Sequence, residues 1–373
     1  MNINASFFAK IISIILFAAP AHAQQPGFSA LEGMTAADLS IAVPADQLPE
    51  SKKFGVTYRL NGVLTVDGEK ILFNTADGRV FTLDMSLRKA RGFDGQTVNV
   101  RAKAIAADDM GTLNVDEIEL YDPAAHDIQL PPRQDKRRVA RLVADGKSGM
   151  EVENVRWLYD AEPAEDKFDW ATAKIRPELV KKVYFIKKPF PPEWLAAHSL
   201  FVFTFEDGGL TDANGSQASG LALTIEAFLR EGEVYDLKTG LKDRFGIVWL
   251  LTTWEDYAAR TALIDKARLI PYEVKFSRAQ TAEMLREALR LSSVNRDGEF
   301  YHTVTNNCTN NLLILMNRVL PEKQRIRMWT IPYLVYNVRA TMPVVVPGYL
   351  QGKGLLGPEL GTIDTSNYKL PLD

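Results

Sequence analysis

The most regular alternation of apolar and polar positions runs from Phe54 to Leu120. Val56-Thr57-Tyr58-Arg59-Leu60 leads through Asn61-Gly62 into Val63–Val66. Asp67-Gly68 turns into Lys70–Phe73, and Asp77-Gly78 into Arg79–Leu83. Gln96–Val100 and Leu113–Leu120 supply two more segments of the same kind. Side chains of a strand alternate between faces, so period-two stretches bounded by Asn-Gly and Asp-Gly predict hairpins. Five or six short strands in so short a segment predict a small all-β barrel over residues 51–122.

Beyond the barrel the pattern changes. Residues 24–50 are turn-rich and aperiodic and read as a linker. So do residues 123–150, with Pro131-Pro132 and a basic cluster at Lys136, Arg137, Arg138 and Arg141. Such a cluster could touch anionic lipid headgroups, giving peripheral membrane contact; the commoner meaning is a solvated face. From Glu151 to the C-terminus a second domain is expected. Lys181–Ile186, Ser199–Phe205, Ser219–Arg230, Phe245–Thr253 and Ile270–Phe276 read as strands, and Trp254–Lys266 as helix. Ser277 with Gln280 forms an S-x-x-Q capping box opening a helix through Leu291. Leu312, Leu315, Met316 and Val319 fall at the spacing of an amphipathic helix. Strands followed by helices predict an α+β domain. The barrel pattern resembles an OB-like fold. Without basic and aromatic interleaving on one face, it suits packing or docking better than nucleic-acid or sugar binding.

The N-terminus adds a location. Lys10 precedes the apolar run Ile11–Pro20, which ends in Ala21-His22-Ala23 ahead of Gln24-Gln25. A basic start, a short apolar stretch and an A-x-A site predict a signal peptide over residues 1–23 and export to the periplasm. The run is shorter than the roughly 20 residues that span a bilayer. No Cys follows the cleavage site, which excludes a lipoprotein anchor there. The formal net charge of −3 argues against a nucleic-acid partner. The chain has one cysteine, Cys308. In an oxidising compartment a lone Cys points to a reactive thiol or an intermolecular bridge, unless it is simply a small core residue.

Cys308 lies where chemistry is favoured. Tyr301-His302-Thr303-Val304-Thr305-Asn306-Asn307-Cys308-Thr309 precedes the amphipathic helix, with Asn306 or Asn307 as natural N-cap. Amides and the positive end of a helix dipole favour a thiolate there and could stabilise an oxyanion. Of the four histidines, His198 and His302 are candidate bases. His198 opens a strand and shares a face with Leu200 and Val202, opposite Phe201, Phe203 and Phe205. A base projecting from a strand towards a helix start suits a cysteine nucleophile; His302 more readily serves its own loop. Glu226 lies on the polar side of its strand, where it either pairs or faces solvent, and is a candidate third group. Asn306 and Asn307 are candidates for orienting the base or for donating to an oxyanion. No metal motif and no glycine-rich phosphate loop is evident, so no cofactor is expected.

His198-Ser-Leu-Phe-Val-Phe-Thr-Phe-Glu-Asp-Gly, Thr224-Ile-Glu-Ala, Arg260, Tyr301…Asn306-Asn307-Cys308-Thr309 and Val346-Pro347-Gly348-Tyr349 resemble the periplasmic domain of Lnb-type lipoprotein N-acyltransferases, over roughly residues 150–373. The order of His before Asn-Cys is also similar to permuted papain-like enzymes of the NlpC kind. The resemblance implies a permuted papain-like catalytic domain behind the OB-like barrel. It also implies thioester chemistry, with Cys308 and His198 catalytic and Glu226 a motif position of less defined role. The expected substrate is an acyl-bearing lipid, lipoprotein or peptide. An exported acyltransferase or acyl hydrolase is the leading expectation. A cell-wall peptidase or amidase, and a non-catalytic envelope module with Cys308 in its core, are the alternatives. The apolar tail Met342–Leu356 would cover the site or meet acyl chains, unless it only packs.

Overall fold

The structure is a computed structural model describing residues 56–106, 109–126, 130–146, 149–191, 193, 196–326 and 344–372. The expected signal peptide and the linker at 24–50 lie outside the described residues.

Five strands, β1 (Val56–Asp67), β2 (Lys70–Thr75), β3 (Val80–Asp84), β4 (Thr97–Ala106) and β5 (Asp109–Leu120), close into a barrel in the order β1-β2-β3-β5-β4. Only β3 and β5 run parallel. The barrel expected from the alternation is therefore present, with one correction. Asn61-Gly62 is not a hairpin turn but the middle of β1. The inward register continues across it, with Leu60 and Leu64 both buried. Gly62 pairs with Val98 of β4 on one side and Thr75 of β2 on the other, where β1 passes from one partner to the next. A Cβ there would run into the Asn74 carbonyl, so glycine is required by close approach rather than by a turn.

The rest of the chain builds one eleven-stranded sheet: β6 (Arg141–Gly146), β7 (Gly149–Trp157), β8 (Asp169–Ile175), β9 (Val180–Pro189), β10 (Ala197–Phe205), β11 (Leu210–Asp212), β12 (Gly220–Phe228), β13 (Phe245–Thr253), β14 (Ile270–Val274), β15 (Phe300–Tyr301) and β16 (Leu356–Glu359). The main path runs β11-β8-β7-β13-β12-β10-β9-β14-β16, with β6 on β7 and β15 on β13. Helices α1 (Trp254–Ala259, continued by a π turn over Arg260–Ile264), α2 (Arg278–Ser292), α3 (Cys308–Val319) and α4 (Val346–Gly352) accompany it. The architecture is α+β. Helix α2 opens with the expected capping box of Ser277 and Gln280.

The sheet is covered on both faces. Phe201, Phe203, Leu221, Leu223, Ile225 and Trp249 pack with Leu285, Leu289, Leu312, Leu315 and Met316 of α2 and α3. The opposite face, with Leu200, Val202 and Ala222, packs on Trp254, Tyr257 and Ala258 of α1 and on Leu269 and Leu372. Each such aliphatic side chain contributes about 1.5–3 kcal/mol by leaving water. This two-sided burial explains why every residue of β10 is buried. Val346 and Leu350 of α4 lie in the first of these cores, so this part of the tail is packing; Met342 and Pro343 lie outside the described residues.

The stretch expected as a linker is mostly part of this fold. β6 forms a hairpin with β7. Ahead of it, Arg133 donates to the Phe228 carbonyl and sets its guanidinium over the Phe228 ring, and Gln134 donates to the carbonyls of Arg230 and Glu233. Residues 133–137 thus strap the end of β12. The prolines and charges masked this, because the bonds that tie it to β12 and the turn after it reach residues roughly a hundred positions away.

Candidate active site

The site forms where the start of β10, the end of β12 and the first turn of α3 meet. Asn307 caps α3 with its side chain, accepting from the Asn310 amide at 3.0 Å, so Cys308 is the first helical residue. Ser199 Oγ and Thr309 Oγ1, 2.8 Å apart, tie that turn to β10. His198 precedes Ser199, which places its imidazole beside the Cys308 thiol, near enough for each to shift the other's titration. The two residues, 110 positions apart in sequence, are therefore brought together.

Burial pushes the Cys308 thiol up. The charge and hydrogen bond of His198, with hydrogen bonds from the Ser199 backbone and side chain, outweigh it and bring the thiol from 9.0 down to about 6. For His198, burial disfavours the charged ring. The Cys308 sulfur, by charge and hydrogen bond, and then the Glu226 carboxylate, reverse this and hold the imidazole above its ordinary value. Both shifts favour a thiolate–imidazolium pair at neutral pH.

Behind the imidazole runs a polar chain. His198 Nε2 lies 2.6 Å from Thr224 Oγ1, Thr224 donates to Glu226 Oε1 at 3.3 Å, and Arg137 Nε donates to Glu226 Oε2 at 2.6 Å. The Thr224 proton is committed to a carboxylate, so its oxygen accepts from Nε2–H, which leaves Nδ1 for the sulfur. Burial alone would raise the Glu226 carboxyl, but the charges of Arg137, His198 and Arg156, with the Arg137 hydrogen bond, hold it at about 2. Glu226 is thus an ionised group reaching His198 through a hydroxyl. Arg137, expected on a solvated face, is its ion-pair partner, and Thr224 is a site member that residue chemistry alone did not single out. The Thr-x-Glu spacing of Thr224 and Glu226 was the available signal, since residues two apart on a strand point the same way.

The other candidates lie apart from His198. Asn306 donates to Glu299 Oε1 at 3.0 Å and to the Phe300 carbonyl at 2.8 Å, and accepts from Asn311. Asn307 caps α3 and donates to the Thr303 carbonyl at 2.7 Å. His302 accepts the Val304 and Thr305 amides on Nδ1, and burial holds its pKa below the usual value. All three shape the loop that delivers Cys308.

Cys308 is 4% exposed. A cavity of about 190 Å³ adjoins the site, lined by its neighbours His198 and Tyr301 though not by Cys308 itself. Ile225, Ala227, Leu229 and Tyr257 line it with apolar surface, while Lys136, Arg137, Arg156, Lys188 and Arg260 bring cations. Among the described residues no group of three His, Cys, Asp or Glu is placed to hold a metal ion, and no helix is long and apolar enough to cross a membrane.

Comparison with known families divides the chain as the structure does. Residues 61–121, most of the barrel, match a family described as a protein of unknown function, DUF5818. No curated protein and no solved structure matches the chain. Residues 167–339, which carry His198, Thr224, Glu226 and Cys308, match the family model of the Lnb N-terminal periplasmic domain.

Proposed function

We propose that this is an exported, thiol-dependent acyltransferase or acyl hydrolase, with a permuted papain-like catalytic arrangement, acting on lipid or lipoprotein acyl groups outside the cytoplasm. The observation that carries this reading is the juxtaposed Cys308–His198 pair at the start of α3, with the thiol lowered to about 6. A merely structural cysteine gains nothing from an imidazole held above its ordinary value beside it. The Lnb-type match over 167–339 and the Lys10–Ala23 segment support an envelope location.

In this reading the Cys308 thiolate attacks the carbonyl carbon of an ester or amide. The tetrahedral adduct collapses, the bond to the leaving alcohol or amine breaks, and the His198 imidazolium gives that group its proton. A thioester on Cys308 remains. An acceptor amine, or water, then attacks it; His198, now neutral, takes the acceptor's proton and the thiolate leaves, restoring the ion pair. Glu226, through Thr224, keeps the ring turned and favours its charged form. General acid–base assistance of this kind is worth about 10²–10⁴-fold.

The test is intact-mass analysis of the mature chain after incubation with diacyl phospholipid and with a diacylated lipopeptide. The expected result is a mass increase of one acyl group less one proton, absent in Cys308→Ser and discharged by an added amine. Absence of an adduct from either donor, with cleavage of cell-wall peptides instead, would transfer the site to the peptidase reading.

A further inference from the structure

The cavity beside His198 carries charge that the Cys308–His198 pair does not use. Its inner carboxylates are all taken. Glu226 is held by Arg137 and Asp265 by Lys188. The fully buried Asp256 behind the wall bridges Arg156 at 2.6 Å and Arg260 at 2.7 Å. Glu165 stands exposed at the rim. Lys136 is half-buried and lines the same space, and its ammonium forms no ion pair among the described residues. Burial first, and then the charge of Arg137, lower its pKa, and the more distant charges of Glu226 and Asp265 offset only part of this. It is held there by the strap: the Lys136 carbonyl accepts from Arg156 at 3.0 Å, and Arg137 is fixed on Glu226. A half-desolvated cation at a cavity wall gains from an anion that enters the cavity.

We infer that this cavity receives the phosphate-bearing headgroup of an anionic acyl lipid, with the phosphate against Lys136 and the adjoining glycerol ester towards His198 and Cys308. Five cations against four carboxylates leave one positive charge, which a phosphodiester monoanion neutralises and a phosphate dianion would exceed. The apolar wall of Ile225, Ala227, Leu229 and Tyr257 gives the first methylenes of a chain a surface that a free phosphate would not need. The inference deepens the acyl-transfer reading of the Cys308 site and rests on it.

Binding to the full mature chain, carrying Cys308→Ala to prevent turnover, separates the two. Calorimetric titration uses monomeric dihexanoyl phosphatidylglycerol, neutral dihexanoylglycerol and inorganic phosphate. The phospholipid is expected to bind saturably, K136E to weaken it at least tenfold, and K136R to restore most of the affinity. The neutral lipid is expected to bind more weakly and to be indifferent to K136E. Thermal melting of K136E checks that the fold persists, with K136Q as the milder variant should it not. Phospholipid affinity unchanged in K136E and K136Q, or absent in the parent, overturns the inference. Binding of inorganic phosphate as tight as that of the lipid would make the ligand a free phosphate and overturn it as well. An acyl adduct on Cys308 without phosphate-dependent binding removes only this inference. Lys136-dependent binding without any adduct removes only the acyl-transfer reading.

Discussion

The barrel and the large sheet solve the same packing problem in different ways, and the difference shows where function sits. Barrel strands have one wet face: β3 alternates exposed and buried residue by residue, and its core is Leu64, Phe73, Val98 and Leu113 from a single interior. In the large sheet, β10 is buried throughout, between α2 and α3 on one side and α1 on the other. A polar group enclosed there can be satisfied only by protein, as His198, Thr224 and Asp256 are, whereas the Thr204 hydroxyl of β10 has no partner. Such enclosure makes a thiolate–imidazolium pair effective, because charges interact strongly away from water. The barrel contributes none of those groups, yet it touches the loop that delivers the nucleophile. Arg59 donates its amide to the Gly298 carbonyl at 2.9 Å, and the Tyr58 hydroxyl reaches Glu299 at 3.4 Å. Glu299, 2% exposed, accepts in turn from Asn306, which accepts from Asn311 on α3.

The largest expected effect removes what the sheet has and the barrel lacks. Cys308→Ser should abolish acyl transfer while thermal melting stays close to the parent's. Unfolding of this variant would instead assign the thiol to packing. His198→Ala comes next, with a loss of about 10²–10⁴-fold in turnover. Its pH signature is specific. A thiol lowered to about 6 becomes thiolate as pH rises through that value, so alkylation of native protein by iodoacetamide should reach half its plateau there. In His198→Ala the midpoint should move up towards the ordinary thiol range or beyond, since burial is then opposed only by the Ser199 hydrogen bonds. His302→Ala should leave the midpoint in place, and equal shifts in both variants would remove His198 from its role.

Thr224→Val probes the polar chain between these extremes. It deletes one buried hydrogen bond to a charged ring, an effect of about 10- to 100-fold. Thr224→Ser should recover most of the rate. A uniform loss in both, with an unchanged alkylation midpoint, would make Thr224 a packing residue only. This residue also marks how far the sequence can be read. The α3 face, the Ser277 capping box and the strand bearing His198 are local patterns, and they were legible. The Cys308–His198 pairing was legible only because few histidines competed. Arg137 meets Glu226 across 89 residues, and no local spacing encodes that contact. Asn61-Gly62 failed for the opposite reason. Its local turn preference is strong, but barrel closure uses the glycine's missing side chain instead.

The barrel's grip on the loop predicts a smaller, different effect. Gly298 has φ +79°, and a Cβ there would lie 2.5 Å from the Arg59 carbonyl oxygen and from Leu60 Cδ2. Gly298→Ala therefore adds both backbone strain and a clash, about 1–3 kcal/mol. Lower melting temperature should accompany a few-fold loss of Cys308 alkylation rate at pH 7. Loss of stability with full thiol reactivity would show that the barrel docks without shaping the nucleophile loop.

The smallest effect separates contacts that cross between the regions from those on the barrel's own surface. Arg59 also pairs with Glu117 at 3.1 Å, but the two side chains are 41% and 61% exposed. Water and salt screen such a pair, so Glu117→Gln should change unfolding free energy by less than about 0.5 kcal/mol and leave alkylation of Cys308 untouched. Tyr58→Phe alters an adjacent residue of the same strand whose hydroxyl meets the buried Glu299 instead, and it should cost more. Chemical denaturation of the two variants side by side decides the matter. If Glu117→Gln proves the more damaging, the buried link from Tyr58 through Glu299 to Asn306 is not what joins the barrel to α3.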